Sequence, residues 1–173
     1  QVGLICFSDT KEKYIKPNKG LSHAYFIIKS LFNLKTKSYR TSINNLISYS
    51  MGIIKRKSIV LLISDFIDKD YTKNLISMSK KHDLVLIQVY DKQEVQFPKL
   101  GLIPIQETEK KTKRWMNTSS KKFSDILQNT YFNNQENIEN LSKKNGINYL
   151  KIRTDKNYIP LLIKLFRIRN KYK

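Results

Sequence analysis

The stretch Ser58-Ile59-Val60-Leu61-Leu62-Ile63-Ser64-Asp65-Phe66-Ile67-Asp68 limits the possible fold more than any other part of this chain. Its apolar run is short, rich in branched residues and free of polar alternation, and it turns polar at Asp65. Such a run reads as a strand buried on both faces. A second run, Asp83-Leu84-Val85-Leu86-Ile87-Gln88-Val89-Tyr90-Asp91, has the same character and also ends in an acid. Strands of this kind belong to parallel α/β sheets, where ligands bind just beyond the carboxyl ends of the strands. Asp65 stands at such an end. There it serves either as a ligand or, more plainly, as a cap on the next helix or a solvated loop residue.

The rest of the chain supplies the other layers. Val2–Ser8 and Lys13–Lys16 read as strands, and residues 17–20, Pro-Asn-Lys-Gly, as a loop. Helical spacing predicts Ser22–Asn33, with Ala24, Ile27, Ile28, Leu31 and Phe32 inward, and Thr41–Arg56 after a polar linker. It also predicts Tyr71–Lys81, a long polar helix Ser119–Lys144 stopped by Gly146, and Tyr158–Ile168. Leu100–Gln106 and Lys113–Met116 form a hairpin around the charged turn Glu107–Lys111, and Ile147–Ile152 is a last strand. Strands alternating with helices predict a Rossmann-like, doubly wound and mainly parallel sheet. Residues 1–173 read as one domain, with no internal repeat.

Composition narrows the function. No apolar run reaches the roughly 18–20 residues that cross a bilayer, so membrane insertion is not expected. The first seven residues lack a basic leader and are not a signal peptide. The chain opens without Met and directly into a strand, which suggests a missing or processed upstream part. Cys6 is the single cysteine, so no internal disulfide forms, and a cytoplasmic location is expected. Lying in an apolar strand, Cys6 reads as an inert thiol.

Net charge is +19. That excess admits a basic nucleic-acid-binding α/β domain. It is dominated by Lys, as an AT-rich coding bias would produce, whereas Arg is the residue that reads bases and clamps phosphates. Lys is spread over nearly every segment, so specific nucleic-acid recognition is not expected.

Few residues point to catalysis. None of the five glycines falls in a phosphate-binding loop pattern. There is no C-x-x-C, and His23 and His82 are too few for a zinc site. His82 reads as a helix-end residue and His23 as a capping or surface residue. Oxygen ligands remain: Asp65 at a strand end, and Thr41 at the start of the preceding helix. A metal-dependent phosphotransfer or nuclease site would have to draw on Asp65, Asp68 and Asp91, and no nearby general base accompanies them. The chain is expected not to be an enzyme.

Several blocks, in order, resemble one family. They are Gly3-Leu4-Ile5-Cys6-Phe7-Ser8-Asp9 with Pro17-Asn18-Lys19-Gly20, Lys55 to Asp68 followed by Tyr71, and Lys81-His82-Asp83-Leu84-Val85. Val89-Tyr90-Asp91, Phe97-Pro98-Lys99-Leu100-Gly101-Leu102-Ile103, Asn117-Thr118-Ser119 and Thr154 to Leu162 follow. Together they resemble the bacterial "domain of unknown function 58" proteins. The resemblance implies a von Willebrand factor A-like fold, with a metal-ion-dependent adhesion site at the carboxyl ends of the strands. It also implies an adaptor or accessory role beside a MoxR-type AAA+ ATPase in complex assembly.

Of that adhesion site, Thr41 in Arg40-Thr41-Ser42 and Asp65 match the second and third pieces. The first piece, Asp-x-Ser-x-Ser, has no counterpart, so the domain reads as N-terminally incomplete. One strong carboxylate in place of two implies weak Mg²⁺ binding. The missing piece would leave Val2–Ser8 and Ser58–Ile63 flanking a gap about 9–10 Å wide, with exposed, association-prone edges.

Overall fold

A computed structural model describes residues 1–106 and 113–171. It forms two compact units, one of residues 1–56 with 68–78 and one of residues 57–67 with 79–173.

The first unit opens with β1 (Val2–Phe7) and β2 (Lys11–Asn18), an antiparallel pair forming their own two-stranded sheet. β2 runs through Pro17 and Asn18, which read as loop in the sequence. Pro lacks only a donor, and at a strand end in a two-stranded sheet that loss is tolerable. α1 (Leu21–Phe32) follows, and His23 Nε2 lies 2.8 Å from the Val2 carbonyl oxygen. The apolar spacing predicts a packed face for α1, yet none of its residues is buried. Cys6 is half-buried, and burial pushes its thiol pKa up, as expected of an unreactive thiol.

α2 (Ile43–Ile53) starts two residues later than Thr41. Ser42 is its N-cap, its side chain accepting from Asn45 N–H at 3.3 Å. Asp68 adds a second cap: its Oδ2 accepts from Ile43 N–H at 2.6 Å. A carboxylate there also meets the positive end of the helix dipole. Ser42 N–H donates to the Ser8 carbonyl, and Asn45 Nδ2 to the Asp9 carbonyl, so the hairpin turn holds the start of α2.

The second unit is built on a parallel three-stranded sheet in the order β3-β4-β7. β3 is Ile59–Ser64, β4 Asp83–Tyr90 and β7 Asn148–Arg153. α3 (Thr72–Lys81), whose residues 72–78, with Leu75 and Met78 buried, belong to the first unit, leads into β4. A short α4 (Lys92–Val95), unmarked by any apolar period, follows β4 with Asp91 as its N-cap. The hairpin of β5 (Leu102–Gln106) and β6 (Lys113–Asn117) pairs as the sequence predicts, and its charged turn lies outside the described residues.

α5 (Lys121–Lys144) starts at an N-cap, Ser120. It ends as Gly146 predicts: Ile147 N–H donates to the Ser142 carbonyl, Gly146 N–H to that of Lys143, and Gly146 has φ +63°. α6 (Ile159–Lys171) closes the described chain.

β4 is buried on both faces, as a central parallel strand should be. On one face Val85 and Ile87 pack with Leu165 and Leu162 of α6, and with Leu150 and Ile152 of β7. On the other, Lys151 lies beside Gln88 and donates to Gln135 of α5. The parallel arrangement predicted for these three segments therefore holds. β3 is different. Ile59, Leu61 and Ile63 are 54 %, 45 % and 63 % exposed, against the expectation of burial on both faces. β3 lies at the edge, and its register puts these three on the face of Val85 and Ile87. There α6 packs with β4 and β7 and leaves them uncovered.

The capping of α2 yields a measurable expectation. Asp68→Ala should lower the unfolding free energy by about 1–2 kcal/mol, read as a shift in the urea midpoint at unchanged slope.

Candidate functional site

The carboxyl ends of β3, β4 and β7 gather most of the polar chemistry of the second unit. Ser64 closes β3, and its Oγ accepts from Phe66 N–H at 3.0 Å. Asp65 Oδ1 accepts from Ile67 N–H at 3.1 Å, an Asx-type turn. Phe66 between them is fully buried with φ +60°, a conformation uncommon for an aromatic residue. Its carbonyl accepts from Asn134 Nδ2 at 3.1 Å. The Asp65 carbonyl accepts from Gln88 Nε2 at 3.1 Å, and Gln88 Oε1 accepts from the Tyr149 hydroxyl.

Asp91 is similarly engaged. It accepts from Gln93 N–H at 2.8 Å and from the Thr154 hydroxyl at 2.7 Å. These two donors hold its carboxyl below the usual carboxylate range. Beside it opens a cavity of about 400 Å³ whose lining includes Tyr90, Lys92, Tyr131, Phe132, Lys151 and Arg153. Lys151 Nζ sits 4.7 Å from the Tyr90 ring centroid and 5.1 Å from that of Tyr131. Burial pushes the Lys151 ammonium pKa down, and burial pushes the Tyr131 hydroxyl pKa up.

The residues singled out in the sequence take these places. Asp65 is exposed in the second unit, with one oxygen bound into its own turn. Thr41 is exposed in the first unit, one residue before the N-cap of α2. Asp68 belongs to the first unit and caps α2. A hard cation wants about six oxygens. Among the described residues no three His, Cys, Asp or Glu side chains gather. The donors at Asp65 alone fall short of a Mg²⁺ shell, and no chemistry is derived through a metal.

A second cavity, about 450 Å³, lies at the amino ends of the same strands. Its lining includes Lys57, Ser58, Lys80, His82, Asp83 and Asn145. His82, read as a helix-end residue, does follow the last residue of α3, but it is only 2 % exposed. Neither ring nitrogen has a hydrogen-bond partner among the described residues. Burial lowers its pKa, and the neighbouring Lys81 charge adds to that. The sequence places His82 between a helix and a strand. It carries no signal that the ring turns inward.

Residues 1–137 match the family described as Protein of unknown function DUF58. The chain belongs to the DUF58 family. The matched region holds β3, β4 and the strand-end cluster up to Phe132. β7 and α6 of this DUF58 chain lie beyond it. No curated protein and no solved structure matches the chain. Among the described residues of this DUF58 chain, no helix is long and apolar enough to cross a membrane.

The buried imidazole gives the DUF58 fold a pH dependence of definite sign. The unfolded chain takes up the His82 proton first as pH falls below the ordinary value of 6.5. Stability tied to the neutral ring is thus full above that value and declines as pH falls toward the lowered folded value. The wild-type urea midpoint should drop between about pH 7 and about pH 5.5, and His82→Leu should flatten that drop.

Proposed function

We propose that this chain is a non-enzymatic protein-interaction domain, an adaptor or accessory partner of a MoxR-type AAA+ ATPase in protein-complex assembly. In this reading the fold is the doubly wound, von Willebrand A-like one that the family resemblance implies. The partner docks on the carboxyl-end face of the sheet. One observation supports it above the others: three aromatic rings and three cations line an open cavity at that face. Aromatic and Arg side chains are what protein interfaces concentrate at their centres. The acids beside it are held in caps and turns, where they fix loops. The partner segment this cavity suits is acidic, with an apolar side chain to lie against Tyr90 and Phe132.

Titration calorimetry of residues 1–173 against the MoxR-type ATPase of the same organism tests the reading. Saturable binding is expected, weakened about tenfold or more by Phe132→Ala and by Lys92→Glu. No binding, or binding that neither substitution alters, overturns it. The nucleic-acid alternative gains instead if the chain binds duplex DNA sequence-selectively at about 0.15 M salt, where a diffuse Lys excess is screened. In the same instrument Mg²⁺ should bind weakly, and tight binding abolished by Asp65→Ala would reverse that part of the reading.

A further inference from the structure

The cavity at the amino ends of the strands has an unsatisfied group in its wall. Among the described residues, His82 is the buried side chain with two polar atoms that lack a partner. An imidazole shut away from water with neither nitrogen paired is costly, and native folds keep few such groups. Its neutral ring has one donor and one acceptor to satisfy. The ring forms part of the wall of a space of about 450 Å³, so its missing partners have to come from what fills that space.

Two segments bring charge to the same place. Lys57-Ser58 runs into β3, and Ser79-Lys80-Lys81-His82 runs into β4. The strands are parallel, with Ile59 level with Asp83, and Asp83 N–H donates to the Ser58 carbonyl at 2.9 Å. The two segments therefore enter the sheet side by side. Lys57 and Lys80 line the cavity, and among the described residues neither is in an ion pair. Asp83 is the one acid among the described lining residues. Lys80 also complements the dipole of α3, whereas Lys57 precedes a strand and serves no helix end.

The far wall offers little to a cation. There the last carbonyls of α5 are already taken. That of Leu141 accepts from Asn145 N–H and Nδ2, that of Ser142 from Ile147 N–H, and that of Lys143 from Gly146 N–H. Among the described residues no metal-holding cluster forms. The charge in this cavity suits an anion. Its volume exceeds what one inorganic ion needs and lies in the range of small-molecule sites. Leu84 and Ile147, both buried, give its wall apolar area for the body of an organic molecule.

We propose that this cavity binds a small phosphomonoester. The phosphate lies between Lys57 and Lys80, which are exposed at the mouth. Two unpaired ammonium groups call for a dianion, and a phosphomonoester is close to one near neutral pH. The body of the ligand, about one ring in size, lies against Leu84, Ile147 and the imidazole of His82, which gains a hydrogen-bond partner from it.

Ribose 5-phosphate is the probe, at about pH 7.5 and about 0.15 M salt, where a diffuse Lys excess is screened. Binding to residues 1–173 is followed by calorimetry and by the NMR signals of the two imidazoles, assigned with His23→Gln. The His82 signal should move saturably and that of His23 should stay. Lys57→Ala and Lys80→Ala, both at exposed positions, should each raise the dissociation constant about tenfold. Lys19→Ala, exposed in the first unit, should leave it unchanged. His82→Leu should also weaken binding about tenfold, and if that variant fails to fold the two Lys variants still decide.

Three results overturn the proposal. One is no saturable binding, which leaves the cavity to water. Another is binding that Lys19→Ala weakens as much as Lys57→Ala and Lys80→Ala do, the mark of diffuse charge. The third is a His82 signal that moves with a short oligonucleotide and not with ribose 5-phosphate, which gives this end of the sheet to nucleic acid. The ATPase titration reads the opposite end of the strands, so neither experiment decides the other.

Discussion

The second unit depends on the amide of Gln88. It sits near the carboxyl end of the central strand, almost wholly buried, and both ends of its side chain are used. Nε2 donates to the Asp65 carbonyl at the end of β3, and Oε1 accepts from the Tyr149 hydroxyl of β7. A buried amide left unpaired would cost about 1–3 kcal/mol. Here one polar group ties both neighbouring strands at the end where the loops diverge. Dispersion and burial hold β4 between α5 and α6, but they are indifferent to small slips along the strand. The Gln88 bridges are directional, and they fix which residues of β3 and β7 stand level at the carboxyl end.

With the strand ends fixed, the acids there have little freedom. Asp65 closes its own turn, and Asp91 caps α4 and holds Thr154. Each carboxylate satisfies backbone donors that would otherwise be orphaned. A strand-end acid that has become a cap is a poor start for a catalytic or metal site. That is why the surface chemistry of this face passes to the neighbouring rings and cations. Tyr90, Tyr131 and Lys151 form a cluster in which a half-buried ammonium is accommodated by two tilted aromatic rings and Gln135.

Much of this was legible before any coordinates. The three parallel strands, the long helix with its Gly146 stop and the late hairpin follow from periodicity and turn chemistry, which are local properties. Burial is not local. Ile59, Leu61 and Ile63 have the composition of a two-sided core strand, and only the sheet order shows that they lie at an edge. His82 looks like a helix-end residue because its neighbours Lys80 and Lys81 are, yet the ring turns inward. Asp68 caps a helix that begins 25 residues earlier in the chain, and no spacing rule carries that link. Thr41, read as the start of that helix, lies one residue before the true cap. Ser42 takes the cap because its side chain reaches Asn45 N–H. The strand-end cavity went unread because its rings and cations come from β4, α4, α5 and β7, far apart in sequence.

The turn after β3 shows what the fold spends to keep its strand end in place. Phe66 holds φ +60°, and a left-handed conformation costs a residue without glycine's freedom about 1 kcal/mol or more. The ring is wholly buried, so burial offsets much of that cost. Three hydrogen bonds over-determine the turn: Ser64 Oγ on Phe66 N–H, Asp65 Oδ1 on Ile67 N–H, and Asn134 on the Phe66 carbonyl. A loop serving only to connect β3 to α3 would not need a strained residue braced from a helix 68 residues away. The bracing keeps Asp65 and its carbonyl stationary against Gln88. It thereby holds the carboxyl end of β3 in register with β4.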